Sequence, residues 1–245
     1  MQRNIVPFPE PARVPPGLSI IAFGDVHGHL DLMEEILRKA QARALAQPER
    51  RHVVISLGDL VDRGPDSAGV VSRLMGTVPG CELVVLRGNH ETLMLEFLAG
   101  SAAATSWLNW GGLATLQSYG VDTAGLTLSG GDIEVLRHRF QAKVPASHVH
   151  FLKTRPLSAT FGDYFFVHAG ARPGIPLAEQ LEEDLIWIRE DMHKSPYRFE
   201  KRIVHGHTPV DAPRIGRTQI NIDTGACYGG MLTAMLFEDE KVRMF

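Results

Sequence analysis

Ile20-Ile21-Ala22-Phe23-Gly24-Asp25-Val26-His27-Gly28-His29 begins as an apolar run and stops abruptly in a carboxylate and an imidazole two residues apart, with glycine on both sides. A short uninterrupted apolar run is the pattern of a strand buried on both faces. An acid or imidazole at the end of such a strand is costly unless something pairs with it. The pattern recurs twice. Val53 to Leu57 ends in Gly58-Asp59 and leads to Asp62, Arg63 and Gly64, and Leu83 to Leu86 ends in Arg87-Gly88-Asn89-His90-Glu91. Between these runs, Leu30 to Ala46 has helical periodicity with Pro48 just beyond it, and Ser67 to Met75 reads as a second helix. The order β-α-β-α-β predicts a parallel sheet with right-handed crossovers, and such sheets gather ligands at the carboxyl ends of their strands.

Further along, Glu91 to about Leu157 is rich in Ala and Leu, with helical patterns over Glu91 to Leu98 and Asp132 to Ala142 and loops at Gly111-Gly112 and Gly130-Gly131. Residues 91–157 are therefore expected to be a helical insert or cap. The strand signal returns at Tyr164 to Val167, Ile203 to Val204, Gln219 to Ile222 and Met231 to Phe237. The last two flank a glycine-rich turn, Gly225 to Gly230, and are expected to pair antiparallel. Residues 1–17, with five prolines, read as an extended leader, and 18–245 as one domain. The leader lacks the apolar core of a signal peptide, and no run approaches a membrane span. Two cysteines in 245 residues fit a reducing compartment, so a cytoplasmic protein is expected. A formal net charge of -3 gives no field favouring nucleic acid or an acidic membrane.

The polar residues at the strand ends are, in order, Asp25 and His27; Asp59 and Asp62; Asn89 and His90; His168; His205 and His207. Several such groups on one edge repel one another unless cations sit among them. Hard oxygens mixed with imidazole nitrogens suit manganese, iron or zinc better than calcium or copper(I). No cysteine belongs to the set, which argues against a structural zinc site.

The blocks G-D-V-H-G (Gly24 to Gly28), G-D-L-V-D-R-G (Gly58 to Gly64) and R-G-N-H-E (Arg87 to Glu91), followed by V-H-A-G around His168 and H-G-H-T-P around His207, resemble the signature of the PPP-type phosphoprotein phosphatases among the calcineurin-like metallophosphoesterases. Among these the chain resembles the bacterial and phage serine/threonine phosphatases. The resemblance implies an α/β fold of four layers, α-β-β-α, with two mixed sheets and the helical insert. It also implies two divalent metal ions, with manganese expected and iron or zinc acceptable. Asp25, His27 and Asp59 would hold the first ion, and Asp59, Asn89, His168 and His207 the second, with Asp59 bridging. A hydroxide bridging the two ions would attack phosphorus, leaving no role for a nucleophilic Ser or Cys. By the same resemblance His90 is the general acid and Asp62 its partner. Arg63 and Arg189 grip phosphate oxygens, Asn89 faces the phosphate as well as the metal, and Tyr228 borders the site. Where nuclease-like relatives carry a further histidine this chain has Pro209. His205 and Cys227 are expected to be structural, His29 to be solvated, and His148 and His150 to lie at the surface.

Three functions fit these residues. The first is hydrolysis of phosphoserine or phosphothreonine, or of a phosphorylated small molecule, with oligomeric state open. The second is hydrolysis of dinucleoside polyphosphates such as diadenosine tetraphosphate. The third is a non-catalytic scaffold that binds phosphorylated partners. Asp62 and Glu91 stand where the dinucleoside enzymes tend to carry a small residue and Asp, which places the phosphatase reading first. A scaffold has no use for the His90–Asp62 pair.

Overall fold

The computed structural model describes residues 9–189 and 197–245. Strand β1 (Leu18–Phe23) is buried at all six positions. Other layers lie against both of its faces, so its apolar run is continuous rather than alternating. Helix α1 (Leu30–Ala46) turns Met33, Ile36, Leu37, Ala40 and Ala44 inward, the stripe expected of a helix lying on a sheet. Strand β2 (Arg51–Ser56) follows. Helix α2 (Ser67–Leu74) then starts where the Asp66 side chain accepts the Gly69 N–H at 2.7 Å, a standard N-cap. Strand β3 (Cys81–Val85) completes a parallel trio with β1 and β2.

The insert is helical, as the sequence predicts. Helix α3 (Asn89–Leu98) is followed by a 3₁₀ segment over Ala102–Trp110, then α4 (Gly112–Ser118), α5 (Gly131–Lys143) and α6 (Ala146–Lys153). The remaining elements are strands β4 (Ser158–Phe161), β5 (Tyr164–Val167), β6 (Arg202–His205), β7 (Arg214–Ile215), β8 (Gln219–Asn221), β9 (Ala234–Glu238) and β10 (Lys241–Met244), with a short helix α7 (Glu182–Trp187) between β5 and β6.

Two mixed five-stranded sheets result, ordered β10-β9-β1-β2-β3 and β4-β5-β6-β8-β7. They meet face to face through Ile20, Val53, Ile55, Phe166, Ile220 and Phe237. Helices α1, α2 and α3 and the insert cover the outer face of the first sheet, where Trp107 and Phe140 join the core. Leu185 and Ile186 of α7, with Phe199, cover the outer face of the second. This is the four-layer arrangement, with two mixed sheets and a helical insert, that the resemblance implies.

One pairing differs from expectation. Gln219–Asn221 pairs with β6 and β7, while Ala234–Glu238 pairs with β1 and β10, so the two runs flanking the glycine-rich turn lie in different sheets. The segment between them contains a 3₁₀ turn at Ala226–Tyr228, capped at both ends by left-handed glycines, and crosses from one sheet to the other. Local sequence shows a turn there but cannot show which partner each flanking strand meets. The leader's first eight residues lie outside the described residues. From residue 9 to Gly17 it forms no helix or strand, in keeping with its prolines. Arg13 bonds Asp163 in the β4–β5 turn both ways, at 2.9 and 2.8 Å, and the Val14 N–H reaches Asp239 in the β9–β10 turn at 2.9 Å. The leader thus ties the two sheets together at their edges.

The consequence for function lies at the carboxyl ends of the parallel strands. Asp25 follows β1, Asp59 follows β2, Asn89 follows β3, His168 follows β5, His207 follows β6 and Asp223 follows β8. Stacking the two sheets brings these six ends to one edge of the sandwich.

Candidate metal centre and active site

The loops that present these side chains are strained in a consistent way. His27, Asp59, Asp62, Arg63 and His207 all have positive φ, between 43° and 76°. That region is unfavourable for residues with a Cβ and is held only when the surroundings demand it, at about 1–3 kcal/mol each. Gly88 shows why one position must be glycine: a Cβ there would collide with the Asp59 carboxylate.

Around Asp59 the ligand-type atoms converge. His27, Asp59 and His90 form one buried group, and Asp59, His168 and His207 another, with the atoms of each group within 4.8 Å of one another. Asp59 belongs to both. Its Oδ2 faces His27 Nε2 at 3.6 Å, and its Oδ1 faces His168 Nε2 at 3.3 Å. His168 Nε2 also lies 2.9 Å from Asn89 Oδ1 and 3.2 Å from His207 Nδ1. Asp25 lies beside these groups: both of its oxygens accept the His207 backbone N–H, at 3.2 and 3.1 Å, and its charged neighbours are Asp223 and Asp59.

The tautomers favour ligation. His27 Nδ1 lies 2.8 Å from the Val61 carbonyl and His168 Nδ1 lies 3.0 Å from the Leu57 carbonyl. With the proton held there, each Nε2 turns its lone pair toward Asp59, which is the outer-shell arrangement of metal-binding histidines. Burial, followed by repulsion from neighbouring cationic groups, holds His27 and His168 well below the usual imidazole range. Burial and then Arg189 bring His207 to about 3. Burial, then Asp223 and Asp59, raise Asp25 well above the carboxylate range, and burial raises Asp223 to about 6. Neutral imidazoles beside crowded carboxylates are what divalent cations relieve, so these residues fit a two-metal centre.

His90 shares the first group, its Nε2 3.9 Å from Asp59 Oδ2. Its Nδ1 donates to Asp62 Oδ2 at 2.6 Å, and its Nε2 faces Arg63 Nη2 at 3.0 Å. Burial alone would lower its pKa, but Asp59 and the Asp62 hydrogen bond outweigh it and the net shift is upward. Asp62 is itself held from the insert. Trp107 Nε1 donates to Oδ2 and Thr115 Oγ1 donates to Oδ1, both at 2.6 Å. Trp107→Phe deletes one hydrogen bond to a carboxylate, worth about 1.5–3 kcal/mol. In the phosphoester hydrolysis that the resemblance implies, turnover is expected to fall about tenfold or more, with KM nearly constant. Steady-state kinetics check this, and a loss confined to KM would contradict it.

Glu91 joins two strand ends. Its carboxylate accepts the N–H groups of Asp59 at 2.9 Å, Leu60 at 2.7 Å, Val61 at 3.2 Å and Gly88 at 2.8 Å. Burial and the Asp59 charge push it up to about 7, while the Gly88 and Leu60 donors pull it down. Glu91→Gln places an amide N–H₂ against those donors. It is expected to lower stability by about 2–3 kcal/mol in urea unfolding and to weaken metal binding in calorimetry, because the loop carrying Asp59 loses its register.

A cleft of about 660 Å³ opens over this centre, lined by Arg63, Asn89, His90, Arg189 and Tyr228 among others. Arg63 also reaches His27 Nε2 at 2.5 Å, and its guanidinium stacks over Tyr228 at 5.4 Å. Arg189 is exposed on the cleft wall. Glu190 and Asp191, its candidate ion-pair partners in sequence, lie outside the described residues. Cys227 is half-buried with Sγ 3.7 Å from Arg63 Nη1. His29 is half-buried before α1, and His150 is exposed. His148 is buried rather than superficial. It is bonded to Tyr119 and Ser72 at 2.9 and 3.3 Å because α6 packs back on the core. Sequence reading missed Asp223, although Ile220-Asn221-Ile222-Asp223-Thr224-Gly225 repeats the opening pattern of an apolar run ending in an acid near glycine. It also missed Trp107 and Thr115, for which no local signal exists.

Among the described residues, no helix is long and apolar enough to cross a membrane. A family model described as calcineurin-like phosphoesterase matches residues 18–244. The chain is 26% identical over 246 residues to the asymmetrical bis(5'-nucleosyl)-tetraphosphatase PrpE of Oceanobacillus iheyensis, covering 91% of this chain and 90% of that one. It is 25% identical over 235 residues to the protein of the same name from Bacillus subtilis, covering 88% and 89%. A solved structure described as a candidate diadenosine tetraphosphatase superposes with a TM-score of 0.64 at 21% identity, covering 96% of this chain and 97% of that one. A serine/threonine phosphatase from Saccharomyces cerevisiae superposes at 0.59 with 16% identity, covering 94% and 79%. Likeness at those identities concerns the fold.

Proposed function

The chain belongs to the calcineurin-like phosphoesterase family, and from that premise we propose that it hydrolyses dinucleoside polyphosphates, with diadenosine tetraphosphate as the representative substrate. Water is added across one P–O–P bond, which breaks to leave two nucleotides. The observation that carries this reading is the cleft: two arginines, Arg63 and Arg189, line a space of about 660 Å³ beside the convergent ligand atoms. That is more cationic surface and more room than a single phosphoryl group uses. Relatives matched over about nine-tenths of both chains bear the corresponding name, and they outweigh the identities of Asp62 and Glu91, which have structural duties here.

In this reading Asp25, His27 and Asp59 would hold one divalent ion and Asp59, Asn89, His168 and His207 the other. When bound, such ions polarise the phosphoryl group and acidify water. The ligand set accepts manganese, iron or zinc. Arg63 and Arg189 bind and orient phosphate oxygens. His90 Nε2 delivers a proton to the departing oxygen, and Asp62 fixes the ring for that transfer.

A second reading, hydrolysis of phosphoserine or phosphothreonine, is favoured by the His90–Asp62 pair, since an alkoxide needs a proton far more than a departing nucleotide does. Initial rates on diadenosine tetraphosphate, phosphopeptides and p-nitrophenyl phosphate, with Mn²⁺ and with chelator, decide between them. Higher kcat/KM on the dinucleotide, abolished by chelator, is expected. Higher kcat/KM on phosphopeptides would overturn the proposal in favour of the second reading.

A further inference from the structure

Trp110 has no part in holding the ligand atoms or His90, yet it lines the same cleft as Arg63, Asn89 and His90. Its neighbour Trp107 is fully buried, whereas Trp110 is 47% exposed. The Trp110 ring meets Trp187 edge to face, with centroids 5.9 Å apart at 70°, and Trp187 in turn meets His207 at 6.2 Å and 89°. An aromatic wall therefore runs outward from the ligand cluster and ends in an open indole.

The position of that indole is fixed relative to the phosphate-facing arginine. Gly111, the next residue, has φ +112°, its carbonyl accepts the Arg63 N–H at 3.1 Å, and a Cβ on it would lie 2.6 Å from Arg63 Cγ. Only glycine permits this approach. The turn carrying Trp110 is thus locked backbone to backbone against Arg63, so a group stacked on the indole sits at a set distance from a phosphate held by the guanidinium. Of the other aromatic groups of the cleft, Tyr228 is exposed but carries the Arg63 guanidinium on its ring at 5.4 Å, and Trp187 is wedged between Trp110 and His207. Asn109, the preceding residue, is also exposed in the cleft wall and offers an amide donor and acceptor there.

Resting on the dinucleoside polyphosphate reading, we propose that Trp110 is the stacking platform for one nucleobase of the substrate, with Asn109 meeting the polar edge of that base. A flat π surface beside an amide matches a heteroaromatic ring whose rim carries donors and acceptors, as nucleobases do. An aliphatic chain has no donors or acceptors to offer the Asn109 amide, and a phosphoserine side chain has nothing to stack.

The test separates base from phosphate. KM for diadenosine tetraphosphate and Ki for inorganic tripolyphosphate, which has phosphates but no base, are measured for the wild type, Trp110→Leu and Trp110→Phe. Loss of one stacked base is expected to raise KM in Trp110→Leu about tenfold or more, at least five times the change in tripolyphosphate Ki. Trp110→Phe, which keeps a ring, should recover most of the loss, and it provides the comparison if the leucine variant folds poorly. Quenching of tryptophan fluorescence by adenosine monophosphate is expected in the wild type and lost in Trp110→Phe. Equal changes in KM and Ki, or unchanged KM in both variants, overturn the platform while leaving the dinucleotide activity standing. A wild-type enzyme that hydrolyses p-nitrophenyl phosphate but not diadenosine tetraphosphate overturns both.

Discussion

Asp59→Asn is expected to remove high-affinity binding of both metal ions and to reduce turnover by about 10³-fold or more, the rate equivalent of the several kcal/mol that metal charge supplies to phosphoryl transfer. The reason is geometric. Among the described residues Asp59 alone belongs to both groups of ligand atoms, with one oxygen toward His27 and the other toward His168. Asn keeps the shape and one acceptor oxygen. The backbone N–H of residue 59 still reaches Glu91 at 2.9 Å, so the loop should persist. Losing the charge and one acceptor harms both sites together, whereas Asn in place of Asp25 should weaken chiefly the His27 side. Isothermal titration with Mn²⁺ gives the stoichiometry, and circular dichroism checks the fold. An Asp59→Asn protein that binds two ions with unchanged affinity would falsify the shared-ligand arrangement.

His90→Ala is expected to retain both ions, because Asn89 and His168 remain in place, and to lose about 10²–10⁴-fold in kcat on alkyl phosphates. The size of the loss depends on the departing oxygen. An alkoxide must be protonated as it leaves, whereas p-nitrophenolate and a nucleotide leave largely without help, so those substrates should lose far less. His90 is suited to this because Nδ1 is committed to Asp62 at 2.6 Å, which leaves Nε2 facing the cleft beside Arg63. Kinetics across a series of aryl and alkyl phosphates test the role through the slope of log kcat against leaving-group pKa. The slope should steepen in the variant, and parallel lines for the two proteins would contradict proton delivery.

The two experiments also bear on the choice of substrate. A nucleotide leaving group gains little from His90, so a pronounced His90 effect on the best natural substrate would favour a phosphoserine-like ester. A small effect alongside strong metal dependence would favour the polyphosphate.

The three opening strands, their helices and most of the side chains that converge on Asp59 were legible in the chain because each depends on short-range regularities. Apolar runs mark buried strands, a 3.6-residue period marks helices such as α1, and glycine beside an acid marks a turn at a strand end. His168 and His207 could be picked out for the same reason. Asp223 carries the same signature, and the reading passed over it.

Other features have no local expression. The runs before and after Gly225 to Gly230 look like a hairpin, and only the competition among β1, β6, β7 and β10 for partners sends them to different sheets. Asp62 is held by Trp107 and Thr115, forty-five and fifty-three residues away, because the insert folds back over the first sheet. His148, polar and in a helical stretch, is buried by that same packing.

The side chains of metal-ligating and proton-transferring type, and their order along the chain, were determined by sequence alone, since donor chemistry belongs to side chains. Tertiary structure decided which of them meet. Asp59 faces both histidine groups, Asp25 turns toward His207 and Asp223, and Trp110 stands open beside Arg63, because distances between residues far apart in the chain are set by how two sheets and an insert pack.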